Sequence, residues 1–178
     1  MKRVLIPLAE GFEEIEATVC ANILRRAGIE VVMAGIPGSL VKGARNIRIM
    51  ADKKLMEVKP EEFDAIILVG GDPGYKNLGL SAKVMEAVRD FEAKGKLVAA
   101  ICAAPALLSK LGLLEKRVST IYPGMEREIP RPRGHRVVHD ANIITSQAPG
   151  TAVEFSLMIV ENLVGEHKAM EVRRDIVC

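Results

Sequence analysis

The chain has 178 residues, 49% of them apolar but only 3% aromatic, and carries 25 Lys or Arg against 23 Asp or Glu for a net charge of +2. A domain of that length buries roughly 70% of the surface its unfolded chain exposes, so one core suffices without a disulfide framework or structural metal. The balanced charge speaks against a nucleic-acid partner, no stretch approaches the roughly 20 apolar residues of a membrane span, and the apolar run after Met1 meets Glu10 too early for a secretory signal.

A cytoplasmic chain away from the membrane is therefore expected, with Cys20, Cys102 and Cys178 as free thiols. Short apolar runs alternate with longer amphipathic stretches, the pattern of strands feeding helices that return to a parallel sheet. Residues 4–8 read as the first strand. A helix over about 13–27 follows Gly11, with Ile15, Val19, Ile23 and Leu24 as its apolar stripe and Gly28 as its C-cap. Residues 29–34 form the second strand, and 40–51, alternating at Ile47 and Ile49, a hairpin or edge excursion. The wholly apolar strand 65–69 runs into Gly70-Gly-Asp-Pro-Gly. After a helix over 82–93, ended by Gly95, the buried strand 97–101 turns through Cys102 into the helical Ala103-Ala-Pro-Ala-Leu-Leu. Strand candidates follow at 117–120, 136–139 and 143–145. Pro149-Gly-Thr opens a long helix through about 163, and a shorter one covers 167–173. The pattern predicts one doubly wound α/β domain, its core over about 2–165 and a C-terminal helix over about 166–174. Ligands of such sheets bind beyond the carboxyl ends of the strands, where residues 10–16, 70–74, Cys102 and 146–151 all fall.

Cys102 is the centre of the chemistry expected there. A cysteine between a strand and a helix feels the unpaired amides and positive end of that helix, which favour thiolate; packing as a small buried apolar residue is the other reading. At a reference pKa near 8.5 only about 3% of a thiol is ionised at pH 7, and the helix end supplies about one unit of the shift needed, so a second group is required. Three acids crowd the start of the first helix. Glu13 and Glu14 are explained as partners of its dipole, whereas Glu16 is placed to point across the sheet end, where desolvation would raise its pKa and leave it a hydrogen-bond donor to sulfur. The Gly70-Gly71 turn lets backbone amides approach a developing oxyanion, or is an ordinary glycine-rich turn. It fits neither nucleotide-binding glycine pattern. His135 and His139 lack the H-E-x-x-H metal pattern, the arginines at 127, 131, 133 and 136 read as a solvated loop, and a serine-hydrolase elbow is absent. No cofactor or metal is expected.

Taken together, Ala9-Glu-Gly-Phe-Glu-Glu-Ile-Glu, Arg25-Arg-Ala-Gly-Ile, Val69-Gly-Gly, Ala99-Ala-Ile-Cys-Ala-Ala-Pro and Thr145-Ser-Gln-Ala-Pro-Gly-Thr resemble the ThiJ/PfpI superfamily, most of all the branch that contains the human Parkinson-disease deglycase (DJ-one). The resemblance implies a flavodoxin-like sandwich that pairs as a homodimer, with Cys102 as an oxidation-sensitive nucleophile and Glu16 as its protonated partner. It places Gly70, Gly71 and Ala103 as the backbone around the sulfur, and Glu13, Arg25, Arg45, Tyr122 and Pro149 in the pocket or at the dimer interface. The implied activity is cysteine-dependent detoxification of a small reactive aldehyde or its glycated adducts, of deglycase or glutathione-independent glyoxalase type. The alternative is a redox sensor or protective chaperone signalling through oxidation of Cys102; a binding role without turnover is a third. Tyr122 stands where the family often has a histidine, and Ala103 where protease-like relatives have one, so peptide hydrolysis is not expected.

Overall fold

Period-two alternation sets the architecture. The computed structural model describes residues 1–178. In β1 (Arg3–Ala9), Val4, Ile6 and Leu8 face one layer of helices while Leu5 and Ala9 face the other. The strands β6 (Ala65–Leu68) and β7 (Leu97–Ile101) repeat the pattern, Ile67 and Ala99 on the first face and Ile66 and Val98 on the second. Strands buried on both faces need a sheet covered on both sides, as parallel crossovers provide.

The remaining strands are β2 (Glu30–Ile36), β3 (Leu40–Lys42), β4 (Arg48–Met50), β5 (Lys53–Lys54), β8 (Val137–Asp140) and β9 (Ile143–Ser146). Seven of the nine form one sheet in the order β5-β2-β1-β6-β7-β9-β8, parallel except at β8–β9, and β3 and β4 make the separate hairpin. The helices α1 (Glu14–Arg26), α5 (Ala152–Val164) and α6 (Glu166–Asp175) cover one face; α2 (Gly74–Leu80), α3 (Ala82–Ala93) and α4 (Pro105–Lys110) cover the other. This is the flavodoxin-like doubly wound arrangement. No helix is long and apolar enough to cross a membrane.

Three local expectations need correction. Residues 117–120 form no strand; only a single bridge joins Ser119 to Pro132, and Arg117 is engaged instead with Glu92, Asp140 and Asn142. Ile15 leaves the apolar stripe and is 53% exposed, because the buried face of α1 runs through Glu16, Cys20, Ile23 and Leu24. The helix α2 follows the glycine turn directly, and its Gly-Tyr-Lys-Asn-Leu-Gly-Leu sequence carries little helix propensity. Burial of Leu78 in the second core layer and a bond from Asn77 Nδ2 to Glu10 O at 2.8 Å hold it.

Candidate active site

Three acids within four positions take three different surroundings, because each residue of a helix start turns about 100° from the last. Glu13 precedes α1 and its Oε1 accepts the Ile15 N–H at 3.4 Å. Glu14 turns toward the β3–β4 hairpin, where Oε1 accepts the N–H groups of Arg45 at 2.7 Å and Ile47 at 3.3 Å. Glu16 points inward with no exposure, and its Oε2 accepts the Gly70 N–H at 2.7 Å. The dipole explanation of Glu14 is therefore incomplete, since this buried carboxylate fixes the loop that carries Arg45.

Cys102 sits at the end of β7 with φ of +65°, in the left-handed region that costs an L-residue roughly 1 kcal/mol. Its neighbours leave it little choice. The Cys102 N–H donates to Ser146 O at 3.0 Å, and the Cys102 carbonyl accepts the Tyr122 N–H at 2.9 Å. Behind that clamp, the hydroxyls of Ser146 and Thr151 lie 2.6 Å apart, and Thr145 Oγ1 accepts the Thr120 N–H at 2.9 Å. The 145–151 segment thus shapes the elbow mainly from behind.

Glycine is required on the other side. A Cβ on Gly70 would stand 2.6 Å from Cys102 Cβ and 2.9 Å from its Sγ, and Gly71, at φ +91°, packs against the backbone of Gly11 and Glu13. The Glu13 N–H also donates to Gly70 O at 3.0 Å, so β6 and the start of α1 are laced together around the sulfur. The N–H groups of Gly71 and Ala103 reach the sulfur itself.

Burial drives the electrostatics. Desolvation lifts the Glu16 carboxyl to about 7, against the opposing Gly70 N–H and Cys102 bonds, and the charge of Glu13 adds to the rise. Desolvation also pushes the Cys102 thiol up, to about 12, aided by a charged Glu16 and resisted by the Gly71 and Ala103 amides. The expected thiolate at a helix end is thereby revised: α4 starts only at Pro105, and the sulfur is surrounded by isolated amides and a carboxyl. Two anions side by side are unfavourable, so the first ionisation belongs to the pair and the charge of either group opposes that of the other. With Glu16 protonated, its charge no longer opposes the sulfur and its O–H is free to be donated.

Cys102 opens into a pocket of about 350 Å³. Of the residues expected there, Glu13, Arg45, Gly71, Ala103, Tyr122 and Pro149 line it, while Gly70 and Glu16 lie just behind the sulfur. Arg25 does not join them. It is held away from the pocket by Asp52 at 2.7 Å and Val31 O at 3.0 Å, and Asp52 also accepts the Met33 N–H at 2.8 Å, making Arg25 a tie between α1 and β2. The pocket wall also includes Asp72 of the glycine turn, together with Ala44, Tyr75 and Met125, which the sequence did not mark out. Arg45 has no carboxylate partner, its guanidinium donating only to Ala44 O at 3.4 Å, so a cation stands ready at the mouth. No histidine lines the pocket, and no three His, Cys, Asp or Glu side chains are grouped so as to hold a metal ion. A wider groove of about 440 Å³ beside α3 is lined by lysines and acids with no nucleophile.

A cysteine elbow beyond a parallel strand, with a buried acid from the first helix beside it, defines an α/β protein whose pocket centres on a half-buried cysteine. The chain belongs to the DJ-1/PfpI family, whose model matches residues 2–162. It is 41% identical to the protein dj-1beta of Drosophila melanogaster, over 98% of this chain and 96% of that one. It is 38% identical to the glutathione-independent glyoxalase DJR-1.2 of Caenorhabditis elegans, over 93% and 89% of the two chains. Among solved structures, that of oxidized Toxoplasma gondii DJ-1 superposes with a TM-score of 0.97 at 35% identity, covering 99% of this chain and 98% of that one.

Proposed function

We propose that the chain is a cysteine-dependent enzyme that detoxifies 2-oxoaldehydes or their early adducts, of the glyoxalase or deglycase type. The observation that carries this reading is the sharing of one pocket face by the Cys102 sulfur, the proton-holding Glu16 carboxyl behind it and the two amides of Gly71 and Ala103. The glyoxalase name of the Caenorhabditis elegans relative agrees with it. The sulfur adds to the aldehyde carbon, giving a hemithioacetal whose oxyanion the amides stabilise. Glu16 gives its proton to the adduct oxygen and, now a carboxylate, carries the proton of the aldehyde carbon to its neighbour, leaving a thioester of the 2-hydroxy acid. Water then releases a hydroxy acid. Peptide hydrolysis has no support in a pocket without histidine. Cys102→Ser is expected to abolish conversion of methylglyoxal to lactate, followed by NMR with free thiols and trace metals excluded. Turnover at the wild-type rate in that variant would end the proposal.

A second reading, signalling through oxidation of Cys102 as a redox sensor or protective chaperone, draws on the oxidized state of the Toxoplasma gondii structure. Here Cys102 is half-buried and faces the pocket, and Cys20 is sealed. Graded peroxide followed by peptide mass spectrometry is expected to modify Cys102 before Cys20 and Cys178, stopping at sulfinate. Earlier oxidation of either other cysteine would exclude this role.

A further inference from the structure

Attack of water on the thioester completes the reaction above, and none of the groups given a role in it so far takes a proton from that water. Glu16 is poorly placed to do so. It lies behind the sulfur, beside whatever is bonded to Cys102 but off the pocket wall that water meets, and one of its oxygens is bound to the Gly70 N–H. Glu13 differs on each count. It lines the same pocket as Cys102, and only Oε1 is engaged, by a long 3.4 Å bond from Ile15 N–H. Its second oxygen has no partner in the chain and is not among the sealed polar atoms, although the residue as a whole is just 8% exposed. An acid so enclosed, with one oxygen free and its place on the wall of a pocket that holds a nucleophile, is set up to handle water there.

We propose that Glu13 is the base that activates the water cleaving the acyl-Cys102 thioester; the inference rests on the aldehyde-converting role argued above. The Glu13 carboxylate accepts one proton as the water oxygen bonds to the thioester carbon, and the Gly71 and Ala103 amides hold the resulting oxyanion. The C–S bond then breaks. Its electron pair goes to the Cys102 sulfur, the hydroxy acid leaves as its anion and returns its acidic proton to the Cys102–Glu16 pair, and Glu13 gives its own proton to solvent through the pocket mouth. The two acids divide the work, the one behind the sulfur acting between carbons and the one on the pocket wall acting on water. The charge of Glu13 also favours retention of the proton on Glu16, which the first half of the reaction needs.

Glu13→Gln tests the assignment, since glutamine keeps an oxygen to cap α1 and loses the basicity together with a charge that is the smallest of the causes acting on Glu16. On rapid mixing with methylglyoxal and acid quench, the variant is expected to complete the acylation half of its first turnover fast and build up a lactoyl adduct on Cys102, seen by intact mass, with steady-state kcat about 100-fold lower. Hydroxylamine, a nucleophile that needs no base, should discharge the adduct once it has been isolated free of aldehyde. Glu13→Asp, which retains a carboxylate one carbon further back, should accumulate less of it. Absence of the adduct from both variants, or loss of the fast acylation along with the later turnovers, would overturn the inference. A wild-type protein that forms no hydroxy acid would strike instead at the reading on which it rests.

Discussion

Cys20 and Cys102 are both pushed up to about 12, and burial is the largest cause for each, yet only one stands in a setting for chemistry. Cys20 is sealed in the core under α5, with the Ser156 hydroxyl as its polar neighbour at 3.3 Å. The Ser156 hydroxyl donates to it, and the charge of Glu16 opposes its ionisation as well, but nothing opens it to a reactant. Cys102 adds an opening to the pocket and two backbone N–H groups, with the Glu16 carboxyl directly beside it. Protonation of Glu16 lifts its opposition to both thiols, and only Cys102 has the access and the amides to use that release. The contrast shows that access and neighbouring amides separate the two cysteines, and that the height of the thiol pKa by itself does not.

The largest effect tests whether Glu16 keeps its proton, the condition on which the contrast depends. The folded chain holds that proton to about pH 7, whereas the reference value is 4.5. Folding therefore takes up a proton in this window, and stability falls as pH rises through it, by on the order of 3 kcal/mol in all. Below the window both states are protonated and the loss disappears. Urea midpoints at about pH 5 and about pH 8 should show the fall in the wild type and a much smaller one in Glu16→Gln; equal slopes would mean that Glu16 ionises as an ordinary acid.

Gly70→Ala attempts to give Cys102 the crowding of Cys20. A methyl 2.9 Å from Sγ and 2.6 Å from Cβ must displace the elbow, and a shift approaching 1 Å is expected to cost about 100-fold in aldehyde turnover. Iodoacetamide labelling of Cys102 should slow with it, and undiminished labelling would show that the sulfur is free to move aside. A smaller effect distinguishes a shared charge from a lone thiol. With Glu16 present, labelling should level off above about pH 7 and rise again only at strongly alkaline pH, because one negative charge is divided between two groups. Glu16→Gln should give one continuous wave that ends above the wild-type plateau. Superimposable profiles would refute the sharing.

Much of this site was legible in the sequence because its parts sit at predictable strand ends. Cys102, Glu16 and the Gly70-Gly71 turn each follow a short apolar run, and a parallel sheet necessarily brings such ends together. What remained hidden depends on contacts distant along the chain. The role of Glu14 lies in bonds to residues 31 and 33 positions away, and no local pattern distinguishes it from a dipole partner. Arg25 belongs to a conspicuous motif, but the position of Asp52 decides that it ties α1 to β2 instead of reaching the pocket. The exposure of Ile15 has the same origin. An acid took the buried face of α1, at Glu16, where apolar periodicity called for a hydrophobic side chain. The helix α2 escaped notice because tertiary burial of Leu78 outweighs weak propensity.

The left-handed backbone at Cys102 has a consequence for how this protein can drift. Folding alone would choose glycine there, relieving strain of roughly 1 kcal/mol in a domain whose net stability is on the order of 5–15 kcal/mol. Under the function proposed above, selection for stability and selection for chemistry pull in opposite directions at this position. The clamps from Ser146 and Tyr122 bear that tension, so the backbone behind the elbow belongs to the site as much as the pocket wall that Tyr122 also forms.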